Sequence, residues 1–265
     1  MPLLLTKSNY HSLDASKDYM SRGQYKEFAF GCEAKQMAIL KGLWVEEPSD
    51  AMLVGQYVHS WNDSTMEEFK ANTPSMLKKD KNPKSEYLIA DKMIQTLEYD
   101  DLAMYCLEGE KELIIVAEMF GCLWKVMLDV ENSERNRIVD LKTTKSVTEH
   151  VWSDEFKCKV SFVEEYKYAL QAAIYSEVYR ISKGREEEDW PEFLIVAVSK
   201  EKIPDKCIIN MVDPDRYRQE LSEIAENMPH ILEVKSGKVE PKRCEVCDYC
   251  RSTKQLTGAI HYSLL

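Results

Sequence analysis

The chain of 265 residues contains no stretch of about 18 uncharged apolar residues, so no membrane-spanning helix is expected. Its start, "MPLLLTKSNYHSL", carries an apolar triplet but neither a basic leader region nor a long apolar core, and does not read as a secretory signal. No internal repeat and no low-complexity linker divides it. Basic charge is also short: 35 Lys and Arg stand against 46 Asp and Glu, a net charge of -11. A protein that coats nucleic acid over its whole surface needs an excess of cations to neutralise phosphates, so that class is excluded, whereas a locally basic groove is not. "LKKDKNPK" (Leu77 to Lys84) is the one strongly basic run, and it reads as a solvated loop.

Hydrophobic residues make up 44% and charged residues 31%, which suits a globular protein with a sizeable core. Eight cysteines without a secretory signal point to reduced thiols in a cytoplasm, with metal binding open. Residues 1–48 read as mostly helical after an irregular start. Pro48-Ser49-Asp50 is good helix-start chemistry, and apolar spacing continues a helix through Phe69. "SEYLIADKMIQTLEYDDLAMYCL" reads as another helix. The period then changes: "KELIIVAEM", "CLWKVMLDV" and "RIVDLKT" are strands, joined by a tight Phe120-Gly121 turn and a polar loop. A helix from about Ser161 to Ser182, the strands "EFLIVAVSK" and "KCIINMV", and a helix from Asp213-Pro214 to about Val234 complete the pattern. It implies one α/β or α+β domain, 1–265, with a mixed sheet flanked by helices. A helical part covers about 1–108, a core about 109–236, and a cysteine-containing tail 237–265.

The strand "RIVDLKTTK" carries an acid and a base where a buried strand wants neither. If the hairpin "WKVMLDVENSERNRIVDLKTT" turns between Glu134 and Arg135, Asp129 falls opposite Asp140 and Met127 opposite Lys142. Alternation then puts Asp129, Asp140 and Lys142 on one face and Val126, Leu128, Val130, Val139 and Leu141 on a wholly apolar one. Directly opposed carboxylates repel unless one is protonated or a cation lies between them. Hard divalent cations favour such oxygens, and the Leu141 carbonyl stands between Asp140 and Lys142 to add another. A solvent-facing Asp–Lys surface pair fits the spacing equally well. On the helix after this hairpin, Tyr168, Gln171 and Tyr175 share one face.

Asp129, ten intervening residues, then "DLK" (Asp140 to Lys142) resembles the PD-(D/E)XK nuclease signature, with Leu128 in place of the leading proline. "GQYVH" (Gly55 to His59) resembles the G-x3-H helix motif of the RecB-like branch, and "YALQAAIY" (Tyr168 to Tyr175) its Q-x3-Y motif. "YMSRGQYKEFAFGCEAKQMAIL" and "CEVCDYCRSTK" are similar to the two ends of phage RecE-type exonucleases, so the resemblance spans nearly the whole chain. It implies a PD-(D/E)XK nuclease core. It implies one or two Mg2+ (or Mn2+) ions held by His59, Asp129, Asp140 and the Leu141 carbonyl. Asp129, Asp140, Lys142, Gln171 and Tyr175 become the catalytic set, with Lys142 and Gln171 acting on the attacking water. Glu118, an acid upstream of Asp129 as in many relatives, falls ~20 Å along the neighbouring strand, too far to share a metal.

The resemblance further implies 5' to 3' digestion of double-stranded DNA ends to nucleotides and a 3' single-stranded tail. A ring of three or four subunits and a RecT-like single-strand annealing partner in phage recombination belong to the same picture, as does a bacterial cytoplasm. Ser21 and Arg22 are candidates for a terminal 5'-phosphate, against an ordinary helix start capped by Ser21. Cys244, Cys247 and Cys250, with Cys32 as a fourth ligand, suit a [4Fe-4S] cluster, zinc or no metal. Cys106, Cys122, Cys158 and Cys207 read as small core residues. Three alternatives stay open: a non-catalytic DNA-binding protein with this fold, an iron-sulfur nuclease for single strands, and a site-specific endonuclease.

Overall fold

The computed structural model describes residues 2–256 together with Gly258, Ala259, His261 and Ser263; the end of the expected tail, 237–265, lies partly outside the described residues. Three short helices come first: α1 (Leu13–Asp18), α2 (Arg22–Phe30) and α3 (Glu33–Leu40). Each starts where a polar side chain takes an orphan backbone N–H: Ser12 from Ala15, Ser21 from Gln24, Cys32 from Lys35. Ser49 likewise caps α4 (Asp50–Asn62). The helix expected to run on through Phe69 stops there. Asp63 accepts from the N–H and hydroxyl of Thr65, Ser64 takes φ 64°, and α5 (Met66–Asn72) restarts in a new direction. The next expected helix also divides, into α6 (Ser85–Glu98) and α7 (Asp101–Cys106), because Asp100 caps a fresh start by accepting from the Ala103 N–H.

The meander follows as β1 (Glu110–Met119), β2 (Cys122–Asn132) and β3 (Arg137–Thr144). Phe120 and Gly121 both hold positive φ, 52° and 81°, the twist a two-residue hairpin loop requires. A small hairpin, β4 (Val151–Ser153) and β5 (Cys158–Val160), then leads into α8 (Phe162–Glu165) and α9 (Tyr168–Ser182). The single helix expected from Ser161 is broken at Lys167, which is left-handed at φ 53°. The chain finishes with β6 (Glu192–Ser199), β7 (Lys206–Asn210), α10 (Pro214–Lys235) and α11 (Asp248–Ser252).

The main sheet has the order β1-β2-β3-β6-β7, with β3 and β6 parallel and the other pairs antiparallel. A parallel pair needs a crossover, and α9 supplies it, packing on β1 and β2 beneath α10. On that face Trp124, Val126, Leu128, Ile138, Phe193 and Ile195 meet the buried sides of α9 and α10. On the other face Val130, Val139, Leu141, Leu194 and Val196 meet α4 and α6. Being covered on both sides, β6 has to be an unbroken apolar run, which is how it reads.

The uniform apolar face expected for the hairpin is therefore corrected. Val126 and Leu128 join one core, Val130, Val139 and Leu141 the other, so the alternation slips at Asp129. The cause lies across the ladder. Between the pairs Lys111–Val130 and Leu113–Leu128, Glu112 takes φ 52°, kinking the sheet opposite Asp129. The cysteine expectation is corrected once: Cys158 is exposed, whereas Cys106 is buried and Cys122 and Cys207 are half-buried.

Candidate active site

The β2–β3 ladder has the register expected from the sequence, pairing Asn132 with Arg137, Glu131 with Ile138 and Val130 with Val139. Where the next pair would form, the Asp129 carboxylate takes the place of the backbone: its Oδ2 accepts from the Leu141 N–H at 2.8 Å. That wedge aims Asp129 at the residues that follow. Asp140 is 3% exposed, and Lys142 Nζ stands 2.6 Å from its Oδ2. From α9, Gln171 Nε2 donates to Asp140 Oδ1 at 2.6 Å. From α4, His59 Nδ1 lies 3.5 Å from Asp129 Oδ1. The position of His59 depends on Gly55, one turn earlier. A Cβ at Gly55 would lie 3.3 Å from Thr143 Oγ1, a tight contact to which the threonine or the helix must give by a few tenths of an ångström.

The electrostatics are those of paired acids in a nearly dry place. Burial pushes the Asp140 carboxyl up by more than the Lys142 ammonium pulls it down, and the neighbouring Asp129 charge adds to the rise. Asp129 is also penalised by burial, but His59, Lys142 and the Leu141 N–H hold it below the ordinary carboxylate range. Burial opposes the charge on Lys142, and the two aspartates overcome it, so the lysine stays an ammonium. The same contest raises His59, burial being outweighed by Asp129. Tyr175 is held far up by burial, then by Tyr10 and the two aspartates, and remains a neutral phenol; its ring packs on Phe193. Tyr168 lies under Lys142, with Nζ 5.2 Å from its ring centre.

Two carboxylates, an imidazole and a backbone segment come from α4, β2 and β3 to one region, and these donor types suit a divalent cation such as Mg2+ or Mn2+. Asp140 Oδ2 is buried against the Lys142 ammonium, and a carboxylate oxygen with two lone pairs can share that contact with a cation. All five expected catalytic side chains, with His59 and the Leu141 backbone, thus come together. Glu118 pairs with Leu123 at the far end of the hairpin, away from Asp129, as expected. The acid that does lie across from Asp129 is Glu112, which the sequence reading passed over. Its carboxyl is pushed up by burial and by a hydrogen bond with Asp63. The Phe120-Gly121 turn already fixes that register, so the signal was present.

The Ser21 hydroxyl is used by the cap of α2, at 3.3 Å from the Gln24 N–H. Arg22 donates to the carbonyls of Tyr166 and Lys167, the latter at 3.3 Å, bracing the break between α8 and α9. Its charge still reaches Tyr168 and Tyr175, so it sits at the rim of the site. Far from these residues, Cys32, Cys244, Cys247 and Cys250 bring their sulfurs within 4.8 Å of one another. Cys32 and Cys250 are 3.5 Å apart, Cys244 and Cys250 4.0 Å. Backbone N–H groups of Val246 and Cys247 draw the Cys244 thiol down to about 6.

A mixed sheet with an aspartate wedged between two strands, an Asp-x-Lys on the second and a glutamine from the crossover helix is the arrangement of the PD-(D/E)XK fold. The comparisons with known proteins agree. Residues 21–253 match the model of a PDDEXK-like domain of unknown function (DUF3799), and the chain belongs to that family. It is similar to a crystal structure from Eubacterium rectale of a protein provisionally named an exonuclease. The two are 35% identical over 98% of this chain and 97% of that one, with a TM-score of 0.91. A second solved structure aligns over 82% of the chain at 14% identity and a TM-score of 0.29, too low to bear on the fold. No curated protein matches.

Proposed function

We propose that the protein is a Mg2+- or Mn2+-dependent exodeoxyribonuclease. It degrades double-stranded DNA ends 5' to 3' and leaves 3' single-stranded tails for a RecT-like annealing protein. The observation that carries the hydrolytic part is the chain of contacts from His59 to Asp129, from Asp129 to the Leu141 N–H, and from Lys142 to the adjoining Asp140, which brings both carboxylates, the imidazole and the ammonium to one end of β3. His59, Asp129, Asp140 and the Leu141 carbonyl would hold one or two ions. When bound, such an ion polarises the phosphate and brings water towards ionisation at neutral pH. Water adds to phosphorus, the bond to the 3' oxygen breaks, and that oxygen takes up a proton. Lys142 offsets charge on the phosphoryl oxygens. Gln171 fixes Asp140 and faces the same space, where it orients the water. Arg22 and Ser21 are proposed at the 5'-phosphate end. A ring of three or four copies in a bacterial cytoplasm fits the net charge, with an acidic outside and a locally basic channel.

For the four cysteines we propose a single structural zinc ion. Tetrahedral zinc–thiolate bonds of about 2.3 Å imply sulfurs ~3.8 Å apart, near the observed 3.5 and 4.0 Å. A four-iron cluster holds its thiolates further apart.

The test is a linear duplex labelled separately at its 5' and 3' ends, beside a closed circle, with Mg2+ or EDTA. Mg2+-dependent loss of 5' label first, with the circle intact, is expected. Loss of 3' label first would overturn the polarity, cutting of the circle would favour an endonuclease, and no digestion with either metal would favour a non-catalytic DNA-binding protein.

A further inference from the structure

A cleft of about 600 Å³ opens beside the catalytic residues, between α4, α5, β1 and the N-terminal segment. Its volume is within the roughly 300–1,000 Å³ of small-molecule sites. His59 forms part of its wall, so the cleft is continuous with the metal-binding set. The helix that supplies His59 also supplies Gln56 and Ser60, with Asp63 at its C-cap. These positions are three and four apart and face the same way. The break at Ser64, which ends α4 early, turns α5 so that Phe69, Asn72 and Thr73 close the opposite side.

The chemistry of the wall is specific. Its one lysine, Lys7, is 3.5 Å from Glu112, and Asp63 and Glu68 add further acid. That sign repels a phosphodiester backbone. The remaining groups are neutral amides and hydroxyls with an aromatic ring, which suit a sugar and base by hydrogen bonding and stacking.

We infer that this cleft receives the sugar and base of the terminal nucleotide while its reacting phosphodiester lies at Asp129 and Asp140. DNA is then shortened one nucleoside 5'-monophosphate at a time, and those products compete with the substrate. The inference rests on the nuclease reading for the position of the phosphodiester, but binding of the product is tested independently.

The experiment is equilibrium binding of labelled dAMP and dTMP to the full chain with Mg2+, inorganic phosphate as control, and Gln56→Ala and Asn72→Ala as variants. Both side chains are exposed, so neither change threatens the fold. Each is expected to weaken mononucleotide binding about tenfold, the loss of one or two neutral hydrogen bonds, without altering phosphate binding. Digestion of a linear duplex should release mononucleotides and be inhibited competitively by them. Unchanged mononucleotide affinity in both variants, binding of Mg2+ but not of mononucleotides, or release of oligonucleotides would overturn the inference. Mononucleotide binding lost in the variants of a protein that digests no DNA would uphold the cleft and reject the nuclease reading.

Discussion

At the scale of single residues, the site is a stability cost accepted for chemistry. Asp140 is nearly dry and faces a second carboxylate, and its raised carboxyl records that strain. Asp140→Asn should therefore melt at a higher temperature than the native chain in EDTA, with the order reversed by Mg2+; thermal denaturation with and without metal checks this. Lys142→Ala should lower kcat by about 10²–10³-fold, the scale of losing one charge stabiliser, in single-turnover digestion of a linear duplex. A lysine buried elsewhere in the fold has a different fate. Lys125 is 3% exposed, and burial, then Lys235, depress it to about 8. Its folded pKa is below the unfolded value, so between the two the unfolded chain binds more protons and stability rises with pH. Lys125→Met lacks this titration. The melting-temperature advantage of Lys125→Met over the native chain should shrink between pH 7.5 and pH 10, and a constant difference would contradict the assignment.

At the scale of elements, strands and their register were legible because the period-2 pattern and the Phe120-Gly121 turn leave little choice. The pairing of Val130 with Val139 follows from the turn position alone. What was not legible is where chemistry interrupts a pattern. Ser64 and Lys167 break helices whose apolar spacing continues past them, through left-handed backbone that neither residue type announces. The slip at Asp129 was hidden because its cause, the kink at Glu112, is on another strand. The hairpin β4–β5 has strands of three residues, too short to show a period. The nearness of the candidate residues followed from motif spacing, but the contact of Gln171 with Asp140 did not, since helix–strand docking decides it. The same docking yields a prediction. Gly55→Ala should push α4 off Thr143, displace His59 and cost about tenfold in activity, and Gly55→Ala with Thr143→Ala should recover most of it. An additive double variant would remove Gly55 from the positioning of His59.

At the scale of the whole molecule, the four cysteines tie the beginning of the chain to its end. Beside them, the Ala34 N–H donates to the Lys242 carbonyl at 3.0 Å, and Glu33 accepts from the Lys242 N–H at 2.8 Å. Glu33 also meets His230 Nε2 at 2.9 Å, so α3, α10 and the tail form one clasp. Cys250→Ser should release zinc and lower the melting temperature, read by elemental analysis and calorimetry; iron with visible charge-transfer absorbance would replace zinc by a cluster. Among the described residues no helix is long and apolar enough to cross a membrane. The proposed ring predicts a particle of three or four chains by light scattering, and a monomer at all concentrations would reject it.

If Asp129, Asp140 and His59 hold a catalytic divalent ion, electron paramagnetic resonance of Mn2+ added to the native chain and to Asp129→Asn will separate the two proteins. Stoichiometric uptake of one or two ions by the native chain, with loss of tight binding in the variant, is the expected result. Equal binding by both proteins, or none by either, would remove the metal site and with it the hydrolytic reading.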